Sequence, residues 1–256
     1  MSPISCFSFS GFGRVVLAVA ALHLAACAST GGEAGQKRRD AAQFNAQLGA
    51  QYLQRGELDQ ARSKLVKALA QDERNALAHV SYAKLLQRID KPAKAQQHFA
   101  RAIDLEPDQA EHHNSYGIFL CQQGHEAEAL QQFKKAADNP YYKTPEFALD
   151  NGGLCLIEAE RHEEASLWLR EAIRRNPQFG PGYLHMAEVF YVEKRLTLAD
   201  AYLQRFNHYE NETAASLLLE LRIKRDSGDL GTAQKLASKL LNRFPSSPEA
   251  AEFLSR

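Results

Sequence analysis

The side chains best equipped for covalent or acid–base chemistry in this 256-residue sequence are four cysteines and nine histidines. A thiolate is a nucleophile and a metal ligand, and an imidazole moves protons near neutral pH or binds metals. Cys27 closes the apolar run near the N-terminus, and Cys121 and Cys155 stand 34 residues apart. His112, His113 and His125 fall at opposite ends of one predicted helix with only scattered carboxylates around them, which does not make a ligand set. The sequence contains no Gly-x-Ser-x-Gly elbow, His-Glu-x-x-His helix, phosphate loop or ligand-spaced cysteine set. No catalytic residue, metal, cofactor or small-molecule substrate is expected. Trp168, the single tryptophan, is predicted to pack on a helix rather than to stack on a ligand.

The chemistry open to Cys27 depends on the segment that delivers it. Val15 to Ala26 is a twelve-residue apolar run containing His23, whereas a membrane-crossing helix needs about 20 apolar residues. Arg14 and the amino terminus precede it and small residues follow, the layout of a secretory signal peptide over 1–26. Leu24-Ala25-Ala26-Cys27 looks like a bacterial lipobox, with a branched residue, two small ones and a thiol that accepts lipid before cleavage. The alternative is an ordinary cut at Ala26-Cys27-Ala28. Lipidation at Cys27 is the expectation, and resemblance to such lipoproteins, in which an Asp after the cysteine favours inner-membrane retention, implies the outer membrane here, where Ala28 and Ser29 follow. Residues 27–41 read as the lipidated cysteine and a flexible linker: ASTGGEAGQKRRDA has no apolar periodicity.

Lys and Arg number 31, as do Asp and Glu. Removing residues 1–26 discards Arg14 and no acid, leaving 30 basic against 31 acidic residues. That balance argues against a nucleic-acid partner, which demands a cationic surplus. It also leaves Cys121 and Cys155 as the thiols available in an oxidising compartment.

The elements that position everything else come from an internal repeat. Aligning RGELDQA, RIDKPAKA, QGHEAEA, AERHEEA, EKRLTLA and SGDLGTA puts alanines at 61, 95, 129, 165, 199 and 233, spaced 34, 34, 36, 34 and 34. Four residues on come Leu65, Phe99, Phe133, Leu169 and Leu203, with Ala237 as a weak sixth. Twelve residues before each alanine sits a small residue, Gly49, Ala83, Gly117, Gly153 or Ala187, with Leu221 as the exception. A 34-residue period is that of the tetratricopeptide repeat, two antiparallel amphipathic helices per unit that must stack to bury their apolar stripes. The predicted fold is all-α: a superhelical solenoid of six repeats at 42–75, 76–109, 110–143, 146–179, 180–213 and 214–247, with a cap at 248–256. The 36-residue interval places an insertion in NPYYKTP, where Pro140 and Pro145 preclude a continuous helix. Tyr141 and Tyr142 there either accommodate curvature or make contacts.

The third and fourth repeats carry a more specific signal. NSYGIFLCQQGHEAEALQQFKKAADNPYYKTPEFALDNGGLCLIEAERHEEA closely resembles the type IV pilus biogenesis/stability lipoproteins of the PilF/PilW family, above all in its YGxFLCxxG and NPxYxTPxxAxxNxGxC pieces. The resemblance implies a pilotin-like outer-membrane lipoprotein facing the periplasm. Such a protein binds subunits of the type IV pilus secretin and promotes their localisation and multimer assembly, as pilus biogenesis and twitching motility require. The second function class is a generic periplasmic scaffold for cell-wall enzymes or outer-membrane protein assembly. Gly152, where many members have alanine, and Glu220, at a normally apolar site, depart from the family pattern.

Cys121 and Cys155 fall at positions 12 and 10 of adjacent first helices. Such helices pack about 8–10 Å apart, so a bridge forms only if the side chains face each other. A disulfide is expected, two buried free thiols being the alternative. Two docking surfaces are predicted. One is the inner face of the fourth and fifth repeats, with Phe147, Leu154, Ile157, Leu184, Tyr191 and Val192, unless these pack on one another. In the second repeat that face is polar, with Lys84, Gln87 and Arg88. The other surface is the uncovered N-terminal edge, with Phe44, Leu48, Tyr52 and Leu53.

Overall fold

The structure, a computed structural model, describes the backbone from residue 13 to 255 and side chains from residue 32 to 255. Residues 1–12 of the expected signal segment, and the side chains of its remainder and of Cys27, fall outside what is so described. Thirteen helices and no strand make up the described residues, arranged in two compact units, Met1–Leu105 and Glu106–Arg256. The first unit contains α1 (Gly13–Gln54), α2 (Leu58–Gln71), α3 (Ala76–Arg88) and α4 (Pro92–Leu105). The second contains α5 (Ala110–Gln122), α6 (Glu126–Ala137), α7 (Pro145–Glu158), α8 (His162–Arg175), α9 (Gly180–Val192), α10 (Leu196–Tyr209), α11 (Ala214–Asp226), α12 (Leu230–Arg243) and α13 (Pro248–Leu254).

The first five hairpins close through a large-into-small fit that the period dictates. Ala61, Ala95, Ala129, Ala165 and Ala199 are wholly buried. The large residues four positions on, Leu65, Phe99, Phe133, Leu169 and Leu203, are buried as completely, each contributing about 1.5–3 kcal/mol. Their room comes from the small residue on the first helix. A Cβ on Gly117 would stand 2.7 Å from Phe133 Cε1, and one on Gly153 would stand 2.7 Å from Leu169 Cδ2. The sixth hairpin replaces that fit with a leucine cluster, Leu217, Leu218, Leu221, Leu236 and Leu240, covered by Ala250 and Phe253 of α13.

The six interhelical turns share one backbone device. A residue with positive φ follows the first helix at Gly56, Asp90, Gly124, Glu160, Lys194 and Gly228. In the first turn Glu57 N–H then donates to the Tyr52 carbonyl at 2.9 Å, and the same bond recurs in each of the others, which ends the helix with its last carbonyls satisfied. Helix starts are capped case by case. The Asn75 side chain accepts from Ala78 N–H, Thr213 and Ser216 form a capping box, and Asp229 and Ser247 cap α12 and α13.

One expectation is corrected. The described part of the predicted flexible linker, residues 32–41, is helical and continues α1. Its composition permits this: Ala34, Gln36, Lys37, Arg38, Arg39 and Ala41 are good helix formers. Gln36 donates to Asp40 at 2.8 Å and Arg39 donates to Gln36 at 2.7 Å. The packed turns after Ala42 already supply the costly nucleus, so propagation back through these residues is cheap. The connection before α7 turns through Asn139, whose side chain donates to the Asp108 carbonyl at 2.6 Å and accepts from Tyr141 N–H at 2.8 Å. Tyr142 folds onto a core cluster, and Tyr141 is left 90% exposed.

Candidate functional site

The predicted inner-face residues of the second unit separate by burial. Phe147 on α7 and Val192 on α9 are 47% and 50% exposed, and Leu154, Ile157 and Tyr191 are half-buried. Leu184 is a correction: it is buried among Tyr183, Ala187 and Phe206, so it supports this face without presenting on it. Ile118 on α5 is exposed and belongs with the strip. It occupies the same first-helix position as Leu154, so the repeat register was signal enough to include it. Phe147 is held edge-on against the buried Phe179, ring centroids 4.8 Å apart.

A polar line crosses the same helices. His185 Nδ1 lies 2.7 Å from Asp150 Oδ1, Tyr191 Oη donates to Asp226 at 2.8 Å, and Arg222 pairs with Glu252 of α13. Glu188 lies in the same neighbourhood, its carboxyl raised by burial despite the nearby His185 and Arg222. Neither the His185–Asp150 pair nor the Tyr191 bond follows from the repeat pattern; each needs two helices 35 residues apart in sequence to face one another. Cys121 on α5 and Cys155 on α7 are joined by a disulfide, Cα atoms 5.8 Å apart. It clamps the two helices that carry Ile118 and Phe147.

The N-terminal edge is smaller than its sequence pattern implied. Leu53 is buried against Ala61, Leu65 and Leu85, a correction whose cause is α3 packing on α1. Tyr52 is half-buried with the Arg55 guanidinium 4.9 Å over its ring, and Leu48 is half-buried. Phe44, 65% exposed, remains as the accessible apolar residue of the four.

The histidines that invited a metal reading have structural partners. His112 and His113 are buried. His112 Nε2 lies 3.0 Å from Glu106, and His113 Nε2 lies 2.8 Å from the Pro107 carbonyl with Nδ1 on Gln132. The same first-helix position repeats the arrangement elsewhere: His79 Nε2 meets the Glu73 carbonyl at 2.9 Å, and Tyr183 Oη donates to the Pro177 carbonyl at 3.0 Å. Each side chain reaches back six residues to satisfy a carbonyl of the preceding connection. Among the described residues no three His, Cys, Asp or Glu side chains gather as a metal set. None of the described helices is long and apolar enough to cross a membrane.

Two histidine environments predict opposite responses to pH. Burial lowers the His79 pKa, and the Arg101 charge adds to this, outweighing the Glu73 carbonyl and charge, which raise it. Burial and His79 lower His98, whose Nδ1 lies 2.8 Å from His79 Nδ1. Both rings hold their neutral form to lower pH in the fold than in the unfolded chain, which protonates near pH 6.5, so their contribution is present above that pH and lost as pH falls. Burial also pulls His185 down, but the Asp150 hydrogen bond and charge, with Glu188, raise it overall. Its contribution is present below about pH 6.5 and lost as pH rises through its folded value. Hydrogen exchange, corrected for intrinsic rate, should therefore show α3 and α4 losing protection between about pH 7.5 and about pH 5.5. The α7–α9 contact should gain protection over that interval. A parallel change in both regions would contradict the assignment.

Comparison with known proteins agrees with the repeat architecture. The tetratricopeptide repeat family profile matches residues 52–117. The type IV pilus assembly protein PilF of Pseudomonas aeruginosa is 30% identical over 237 residues, 91% of this chain and 94% of that protein. The crystal structure of PilW, described as a widely conserved type IV pilus biogenesis factor, superposes with a TM-score of 0.73 at 31% identity, covering 83% of this chain and 98% of that one. The Pseudomonas aeruginosa PilF structure superposes with a TM-score of 0.71 at 30% identity, covering 86% of this chain and 99% of that one.

Proposed function

The chain belongs to the PilF/PilW family of type IV pilus biogenesis proteins, and from that membership we propose that it is an outer-membrane pilotin, anchored by lipid on Cys27 and facing the periplasm, that binds type IV pilus secretin subunits. The observation that carries this reading is the near full-length likeness to a type IV pilus assembly protein. The chemistry of the second unit supports it. Ile118, Phe147 and Val192 leave apolar area exposed on first helices, and such area commonly receives an amphipathic or extended segment of a partner. The neighbouring His185, Tyr191 and Asp226 supply polar groups to orient that segment, His185 being held by the buried Asp150. Phe44 offers a second, smaller contact near the anchored end.

In this mechanism the protein does no covalent work. The anchor holds the repeats at the membrane, the apolar strip holds a secretin segment, and multimers form where subunits are concentrated. Phe147→Glu with Val192→Glu should lower the yield of secretin multimers at the outer membrane at least tenfold, because a buried unpaired carboxylate costs several kcal/mol. Phe44→Glu should have a smaller effect. If multimers persist at full level with all three substitutions, secretin docks elsewhere or not at all. Fractionation of Cys27→Ala tests placement separately: the variant should leave the membrane fraction, and retention there would rule out the lipid anchor.

A further inference from the structure

A cavity of about 880 Å³ opens in the first unit between α1 and the end of α2, far in sequence from the apolar strip. Gly35, Arg38 and Arg39 line it from α1, and Asp72, Glu73 and Arg74 line it from the connection to α3. The last turn of α2 completes the wall. The cavity thus holds three guanidinium groups and two carboxylates, yet among the described residues these five charges form no ion pair with one another. Local bonds keep some of them apart: Arg39 Nη2 donates to Gln36 at 2.7 Å, and Asp72 Oδ1 accepts from Arg74 N–H at 3.0 Å. Arg38, Arg39, Glu73 and Arg74 are solvent-exposed and Asp72 is half-buried, so both signs of charge stand around an open cavity without collapsing together, an arrangement that fits a ligand carrying both signs. Guanidinium groups are suited to a phosphate. Carboxylates, together with the carbonyl end of α2, are suited to an ammonium with hydrogens to donate.

We propose that this cavity binds the phosphoethanolamine headgroup of a phospholipid, phosphate toward Arg38, Arg39 and Arg74 and primary ammonium toward Asp72 and Glu73. Its place along the chain agrees with that ligand. Arg38 follows Cys27 by eleven residues, about 16 Å of helix, and α1 is unbroken across that interval. The lipid source, as opposed to a soluble zwitterion, rests on the membrane anchoring proposed above. Headgroup binding would hold the first unit against the bilayer and so fix the direction in which the helices leave it.

The full chain, titrated with soluble glycerophosphoethanolamine, should give saturable shifts of the Arg38 and Arg74 side-chain N–H signals. Glycerophosphocholine, whose quaternary ammonium donates no hydrogen bond, should bind about tenfold more weakly, and inorganic phosphate at least as weakly. Arg38→Gln with Arg74→Gln should abolish the response, as should Asp72→Asn with Glu73→Gln, while Lys91→Gln with Lys94→Gln should leave it intact. Equal affinity for inorganic phosphate would reduce the cavity to an anion site and overturn the proposal. Equal affinity for the choline ester, or no shift, would overturn it too. Secretin assembly is read by multimer yield in cells, so either reading can fail without the other.

Discussion

Cys121→Ser combined with Cys155→Ser is expected to lower the stability of the second unit by about 4 kcal/mol, and its melting midpoint by about 10 °C. The bond closes a loop spanning 34 residues of sequence, and the chain entropy it removes from the unfolded state sets that scale. It also joins α5 to α7, helices of successive hairpins, so it bypasses the interface through α6. The loss should therefore concentrate there: hydrogen exchange in α5 and α7 should rise more than in α11 and α12. Thermal unfolding under oxidising conditions checks the magnitude. A variant melting within about 2 °C of the parent would show that the packing of Phe133, Leu156 and Leu169 holds the two hairpins without the bond.

Gly152→Val is expected to cost about 3 kcal/mol, the upper end of overpacking penalties in well-filled cores. A Cβ at Gly152 would stand 2.5 Å from Trp168 Cζ3, and the adjacent Cε3 is as crowded. An indole is rigid, so the neighbour cannot fold its end away as a lysine could. Gly152→Ala sets the same clash against a gain in helix propensity of about 1 kcal/mol; the clash should win, with a net loss of about 1–2 kcal/mol. Replacing the ring reverses the sign. In a Trp168→Leu background, Gly152→Ala should stabilise by about 1 kcal/mol, the propensity gain alone. Denaturant unfolding of the four proteins closes the cycle. Additive losses would mean that helix α7 shifts to admit the methyl group and that Gly152 and Trp168 are uncoupled.

That pair shows how far a single sequence can be read. The all-α repeat fold was legible because alanines at a 34-residue spacing bury one stripe in hairpin after hairpin. The turns at Asp90, Glu160 and Lys194 were legible only through the period, since none is a glycine, yet each takes positive φ. Gly152 read as a departure from a family pattern, because its reason, the ring of Trp168, sits on the next helix. Periodicity put Leu53 and Leu184 on faces open to a partner. Their burial is decided by what packs opposite, which spacing does not encode. The segment 32–41 was misjudged for a related reason: its glycines and charges resemble a linker, and only the folded turns after it make a helix favourable.

The side chains that reach back six residues to a carbonyl have an evolutionary consequence. Where His79, His113 or Tyr183 makes that bond, lengthening the preceding connection would leave a buried side-chain donor without its carbonyl partner. Before α7 the equivalent position is Leu149, which can make no such bond, and there the connector carries its two extra residues. Indels should accumulate in front of hairpins lacking this latch and be purged from those that have it.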